Sequence, residues 1–145
     1  MRNSRTEHFL ASELLRISRL STEAAELIMP MIRDKNMELQ VSHQLKTYRT
    51  IAEQCANILR KSGLNPAEKT GLMDWMLQQS IKMDTAWNQS DSHLARIVIH
   101  CTDAAMKNLM KAMNQTANDD LESHMLVEKY LDEGQKDIDF MEKYL

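Results

Sequence analysis

The sequence predicts an all-α chain, a four-helix bundle with a long helical crossover between its second and third helices, and three observations carry that reading. Only 3 Gly and 2 Pro occur in 145 residues, so the backbone has few places to turn and a strand-and-turn domain is excluded. Apolar residues recur in alternating steps of four and three along four long segments, the period of a helix with one buried stripe. The stretch between the second and third segments, residues 64–91, is too long for a hairpin turn and has a helical pattern of its own. The length suits one domain, 1–145, with a single core. With 12 Met against 2 Phe, 2 Trp and 3 Tyr, flexible unbranched side chains fill that core.

The elements follow from their punctuation. Ser4 with Glu7 reads as a capping box opening a helix over about 4–33, bent where Pro30 lacks an N–H. Its stripe is Leu10, Leu14, Ile17, Ser21, Ala24, Ile28 and Met31. After the break Asp34-Lys35-Asn36 a second helix runs over 36–62, striped by Val41, Leu45, Tyr48, Ala52, Cys55 and Leu59, and stops at Gly63, the residue best suited to a left-handed terminus. Asn65-Pro66-Ala67-Glu68 combines a cap, a first-turn proline and an N3 glutamate, which starts a crossover helix over about 66–87. Ser90-Asp91-Ser92 opens a helix over 91–115 with stripe Leu94, Val98, Cys101, Ala105, Leu109 and Ala112. Asp119 with Glu122 caps a last helix over 119–145, striped by Val127, Tyr130, Leu131, Gly134, Ile138, Met141 and Leu145.

A crossover helix of about 21 residues spans roughly 30 Å, nearly the bundle length. It makes the second and third bundle helices parallel, the arrangement of ferritin-like bundles. Its face Leu72, Met76, Met83 and Trp87 is expected to pack on a second apolar stripe, Ile99, Met106, Met110 and Met113. The competing use of either face is a homodimer surface. Parallel helices put Cys55 and Cys101 about 13 Å apart along the axis, too far for a disulfide, so both are expected to be free thiols.

At Leu72-Met73-Asp74-Trp75-Met76, Ile81-Lys82-Met83-Asp84-Thr85 and Ser90-Asp91-Ser92-His93-Leu94-Ala95, and again in the ending Asp137-Ile138-Asp139-Phe140-Met141-Glu142-Lys143-Tyr144-Leu145, the sequence resembles a group of uncharacterised bacterial ferritin-like four-helix-bundle proteins. That group is typical of spore-forming anaerobes and more distantly similar to stress-related ferritin-like and spore-coat bundles. The resemblance covers nearly the whole chain. It implies the fold but no activity, and where such proteins tend to carry glutamates in the last helix this chain reads Glu133-Gly134-Gln135-Lys136.

A ferritin-like bundle invites di-iron or di-manganese chemistry, which needs inward glutamates on all four helices and Glu-x-x-His on two. No Glu-x-x-His occurs, and Glu122 and His124 sit about 200° apart on a helix. His8, His43, His93, His100 and His124 fall off their stripes and read as surface histidines. Glu13 lies about 50° from the centre of its stripe and Glu38 about 65°, while Asp103 faces almost opposite the core. Glu133 and Asp137 flank Gly134. Glu13, Glu133 and Asp137 are therefore the candidates for a single metal, iron or manganese, in a degenerate site for iron handling or oxidative stress. The preferred expectation is a non-catalytic structural or interaction bundle with no catalytic residue and no cofactor.

No Ser-His-Asp or Cys-His convergence is readable, and no glycine-rich phosphate loop occurs. A glycine inside the last helix costs about 1 kcal/mol relative to alanine, so something is expected to approach Gly134 closely: Tyr48, a methionine or a small ligand. Net charge is −3, with nine acids against Lys129, Lys136 and Lys143 in residues 119–145, which argues against nucleic acid as partner. No apolar run is long enough for a membrane span and no signal peptide is visible. Two cysteines without CxxC fit a reducing cytoplasm. A cytoplasmic homodimer, joined through Met-rich apolar faces, is the expected form.

Overall fold

The computed structural model describes residues 8–66, 72–116 and 120–145, the side chains of 72–76 excepted. Among the described residues the chain is all-helical, with no strand. The helices are α1 (Phe9–Ile28), α2 (Lys35–Lys61), α3 (Leu72–Thr85), α4 (Asp91–Gln115) and α5 (Leu121–Met141), with short 3₁₀ turns at Met29–Met31 and Glu142–Tyr144. None of the described helices is long and apolar enough to cross a membrane.

The ends obey the capping rules. Asp34 accepts from the Met37 N–H at 2.9 Å, Ser90 from His93 at 3.2 Å and Asp120 from Ser123 at 2.7 Å, each satisfying a first-turn amide that lacks a helical partner. At the end of α2, Gly63 adopts φ +76°. The Gly63 N–H donates to Arg60 O and the Leu64 N–H to Leu59 O, the paired bonds of a Schellman terminus.

Some boundaries differ from expectation. The first helix does not continue through Pro30: it ends at Ile28, and Pro30 sits in the following 3₁₀ turn. The last helix is capped by Asp120 rather than Asp119. Ser4, Glu7, Ala67, Glu68, Gly71 and Asp119 lie outside the described residues, and the crossover helix ends at Thr85 rather than at Trp87.

Contacts at the two ends fix the course of the chain. At one end the backbone N–H groups of Arg33 and Asp34 donate to the Asp91 carboxylate at 3.0 and 2.8 Å, and the Tyr144 hydroxyl donates to Asp34 at 2.6 Å. The starts of α2 and α4 and the end of α5 meet there. At the other end His8 bridges Ser62 and Asp120, bringing together the starts of α1 and α5 and the end of α2. Hence α2 and α4 run parallel to each other and antiparallel to α1 and α5. Helix α1 packs chiefly on α2, and α4 on α5, while α1 with α4 and α2 with α5 close the remaining sides.

The buried apolar residues form two clusters. One, near the His8 end, includes Leu10, Leu14, Ile51, Leu59, Leu109 and Val127; the other includes Ile28, Met37, Val41, Ile81, Leu94 and Met141. Helix α3 lies mainly against α1 and only lightly against α4. Among its described side chains Ile81 and Thr85 are buried, whereas Met83 is 75% exposed and, just beyond the helix, Trp87 is 97% exposed. Met83 and Trp87 of the expected crossover face are therefore not packed on the stripe Ile99, Met106, Met110 and Met113, while the side chains of Leu72 and Met76 lie outside the described residues. Met106 and Met113 pack instead against the first cluster, because helix α4 turns that stripe toward α5.

Candidate functional site

Between the two clusters lies a cavity of about 40 Å³, walled by all four long helices. Helix α1 contributes Ser21, Ala24 and Ala25, whose small side chains leave the space open. Helix α2 places Gln44 and Tyr48 one turn apart on one face, α4 adds Cys101 and Thr102, and α5 adds Asp137. Volume of this size holds about three waters.

Tyr48, which lines the cavity, stacks on Tyr130 with ring centroids 5.0 Å apart. Ser21 donates to the Ile17 carbonyl at 2.8 Å, so the 2.6 Å contact with Tyr130 is the phenol donating to Ser21 Oγ. Burial pushes Tyr130 up to about 12. Both amide atoms of Gln44 are buried without a hydrogen-bond partner, which is uncommon in a folded interior, and the Tyr48 hydroxyl has Tyr130 and Thr102 as polar neighbours but makes no bond of good geometry. Burial, with the neighbouring Tyr130 and Asp137, holds Tyr48 well above the usual phenol range.

Asp137 is 2% exposed. It accepts a long hydrogen bond, 3.4 Å, from Gln40 Nε2, and burial, reinforced by the Glu133 charge, leaves its carboxyl at about 7. Cys101 beside it is a free thiol, raised by burial; Cys55 is free and buried deeper, pushed up to about 12. Neither is a ready nucleophile.

The three candidate metal ligands do not converge. Glu13 pairs with Arg16 at 2.8 Å on the surface of α1. Since Ser21 meets Tyr130, eight residues beyond Glu13 and seven before Asp137, the two acids stand roughly 20 Å apart along the axis. Glu133 approaches His43 at 3.7 Å and Lys136 at 4.0 Å, and only it neighbours Asp137. Among the described residues no three His, Cys, Asp or Glu side chains group as a metal ion requires.

Gly134 is approached by a methionine, one of the expected neighbours. A Cβ there would lie 2.9 Å from Met106 Sδ and 3.2 Å from Thr102 Cγ2, so the room over Gly134 is filled by α4 and not by a ligand.

The second constellation lies at the end of the molecule and overturns the reading of His8 as a surface residue. His8 is 16% exposed at its side chain. Its Nε2 meets Ser62 Oγ at 2.8 Å and its Nδ1 meets Asp120 Oδ2 at 3.1 Å, the connectivity of a Ser-His-Asp relay. Two features set it apart from a hydrolytic site. Ser62 Oγ also donates to the Ile58 carbonyl at 3.1 Å, and the amides of Ser62, Gly63 and Leu64 are all consumed by α2 carbonyls. The hydroxyl thus sits at the negative end of a helix, with none of those donors left for an oxyanion. It acts as a polar staple across three helix ends. His93 is likewise engaged, with Asp84 at 3.3 Å, and His124 donates to the Thr116 carbonyl at 2.9 Å.

Comparison with family models, with curated proteins and with solved structures gives no match. The site is therefore read from its own chemistry: a semi-buried chamber, mostly apolar, lined by the unpaired Gln44 amide with Tyr48 and Asp137 beside it. Sequence patterning missed Gln44, which has no apolar signal, and placed Asp137 at a flank.

Proposed function

We propose that the chain is a ferritin-like four-helix bundle that works by binding and association rather than by turnover, as a structural or interaction protein of the bacterial cytoplasm. The parallel course of α2 and α4 around a helical crossover, between antiparallel neighbours, supports the ferritin-like architecture. The functional reading rests on the composition of the mid-bundle interior. A di-iron bundle sends carboxylates inward from every helix, whereas among the described residues the buried acid here is Asp137, joined by Gln44, Tyr48 and Thr102. One carboxylate cannot neutralise or coordinate two divalent ions.

Self-association completes this reading. Met83 and Trp87, 75% and 97% exposed, give the end of α3 an apolar surface of the kind that marks contact with another protein, here a second copy of the chain. Nucleic acid and membrane are not its partners. The decisive experiment is elemental analysis of untagged protein equilibrated with iron(II), manganese(II) and zinc(II). Metal well below one equivalent per chain is the expected outcome, and near-stoichiometric retention that Asp137→Ala removes would replace this reading with a single-metal one. Sedimentation at micromolar concentration is expected to give a dimer; a monomer removes the association half of the proposal.

A further inference from the structure

Gln44 is 2% exposed, and neither its Oε1 nor its Nε2 meets a partner. The Tyr48 hydroxyl, one helical turn away, is buried too and makes no bond of good hydrogen-bond geometry, with Thr102 and Tyr130 as its polar neighbours. Both line the same cavity as Asp137, which accepts a long contact from Gln40. Buried polar groups in native proteins are satisfied by protein, by water or by a ligand, and here the wholly unpaired Gln44 amide faces a chamber it shares with Tyr48 and Asp137. Around them Ile28, Val41, Ile97 and Val98 form an apolar wall, the usual division of a small-molecule site into apolar enclosure and a few orienting polar groups.

The pattern of what is missing selects the ligand. Gln44 lacks an acceptor for its N–H and a donor for its carbonyl at once. We propose that this cavity binds a small neutral molecule carrying a primary carboxamide, an N–H donor and a C=O acceptor side by side. Such a group pairs with the Gln44 amide through two antiparallel hydrogen bonds. It retains a second N–H for an acceptor such as Asp137, and its carbonyl has a lone pair for the Tyr48 hydroxyl.

The isosteric ions fit less well. An amidinium offers donors only, so Gln44 Nε2 stays unpaired; a carboxylate offers acceptors only and leaves Gln44 Oε1 unpaired. A cavity of about 40 Å³ limits the molecule to a few heavy atoms, with a methyl or short alkyl group against the apolar wall. The inference is independent of the ferritin-like reading, because it uses the cavity alone.

Three molecules of one shape test it: acetamide, acetate and acetamidinium, each titrated at pH 6 into ¹⁵N-labelled full-length protein and followed by chemical shifts. The expected result is saturable binding of acetamide, centred on the Gln44 side-chain amide and the Tyr48 backbone, at least tenfold tighter than either ion. Gln44→Leu is expected to weaken acetamide at least tenfold. Gln44→Met, which keeps the side-chain length and volume and removes both polar atoms, gives the same loss and serves should the leucine variant collapse. Preference for either ion, equal binding of all three, binding indifferent to both variants, or no saturation with only water contacting Gln44, each overturns the proposal.

Discussion

The two apolar clusters share the four long helices, the second adding Ile81 of α3, yet they are packed on different terms. Near the His8 end, Leu10, Leu14, Ile51, Cys55, Leu109 and Val127 are fully buried, and the end is closed by the polar staple of His8, Ser62 and Asp120. Toward the other end, Ile28, Val41 and Ile97 border a cavity into which unpaired polar atoms project. The first region is where burial holds the bundle together. The second carries uncompensated polar groups, each costing about 1–3 kcal/mol when left unmade, and so is where a proton or a ligand has the most leverage.

The largest expected difference between the regions is electrostatic. Asp137 has its carboxyl raised from 3.8 to about 7 in the folded chain, so the folded state holds its proton where the unfolded state has released it. Its contribution is full below pH 4, declines as the pH rises from about 4 to 7, and is gone above that, a change on the order of 4 kcal/mol. Asp34 works in the opposite sense, since the Tyr144 hydrogen bond lowers its carboxyl, and the informative quantity is therefore the difference between variants. Urea unfolding of the wild type and of Asp137→Asn is expected to show the variant gaining stability relative to wild type between pH 5 and 8. Parallel pH profiles would show that Asp137 does not differ between the two regions in the way described.

Next comes the dry cluster. Leu14→Ala removes a side chain with no exposure and is expected to cost about 3 kcal/mol at every pH, since neither the transfer nor the cavity contribution involves titration. A loss that changed between pH 5 and 8 as the Asp137 effect does would erase the distinction between the regions. The smallest effect lies at the boundary. Gly134→Ala gains about 1 kcal/mol of helix propensity but forces a Cβ to 2.9 Å from Met106 Sδ, and overpacking of that kind costs about 1–3 kcal/mol. A net loss near 1 kcal/mol is expected, recovered when Met106→Ala is added; a double variant that only sums the two losses would show that the contact is not the cause.

Much of this architecture is legible in the sequence because it is local. Gly63, Ser90 and the stripes of α1 and α2 obey rules that operate within one or two turns. The departures come where distant residues decide. Ser18, Gln44 and Asp137 are polar residues at the flanks of apolar stripes, and they are buried because helices packed from both sides make the covered arc wider than one stripe. His8, Ser62 and Asp120 are 54 and 112 residues apart in sequence, and no periodicity connects a residue before one helix to the ends of two others. Met83 and Trp87 followed the crossover's pattern but not its packing, since α3 turns Ile81 and Thr85 toward its neighbours.

The parallel course of α2 and α4 has one more consequence. It divides the chain at the crossover into two helical hairpins, residues before Leu64 and residues after Ser90, each folded back through a short connection. Gln44 and Tyr48 belong to the first half, Cys101, Thr102 and Asp137 to the second. The chamber thus comes into being only when the halves meet. Two fragments expressed separately would carry no chamber between them, and reassembly of the pair would switch on whatever the chamber holds, so the molecule is laid out as a complementation reporter for its own assembly.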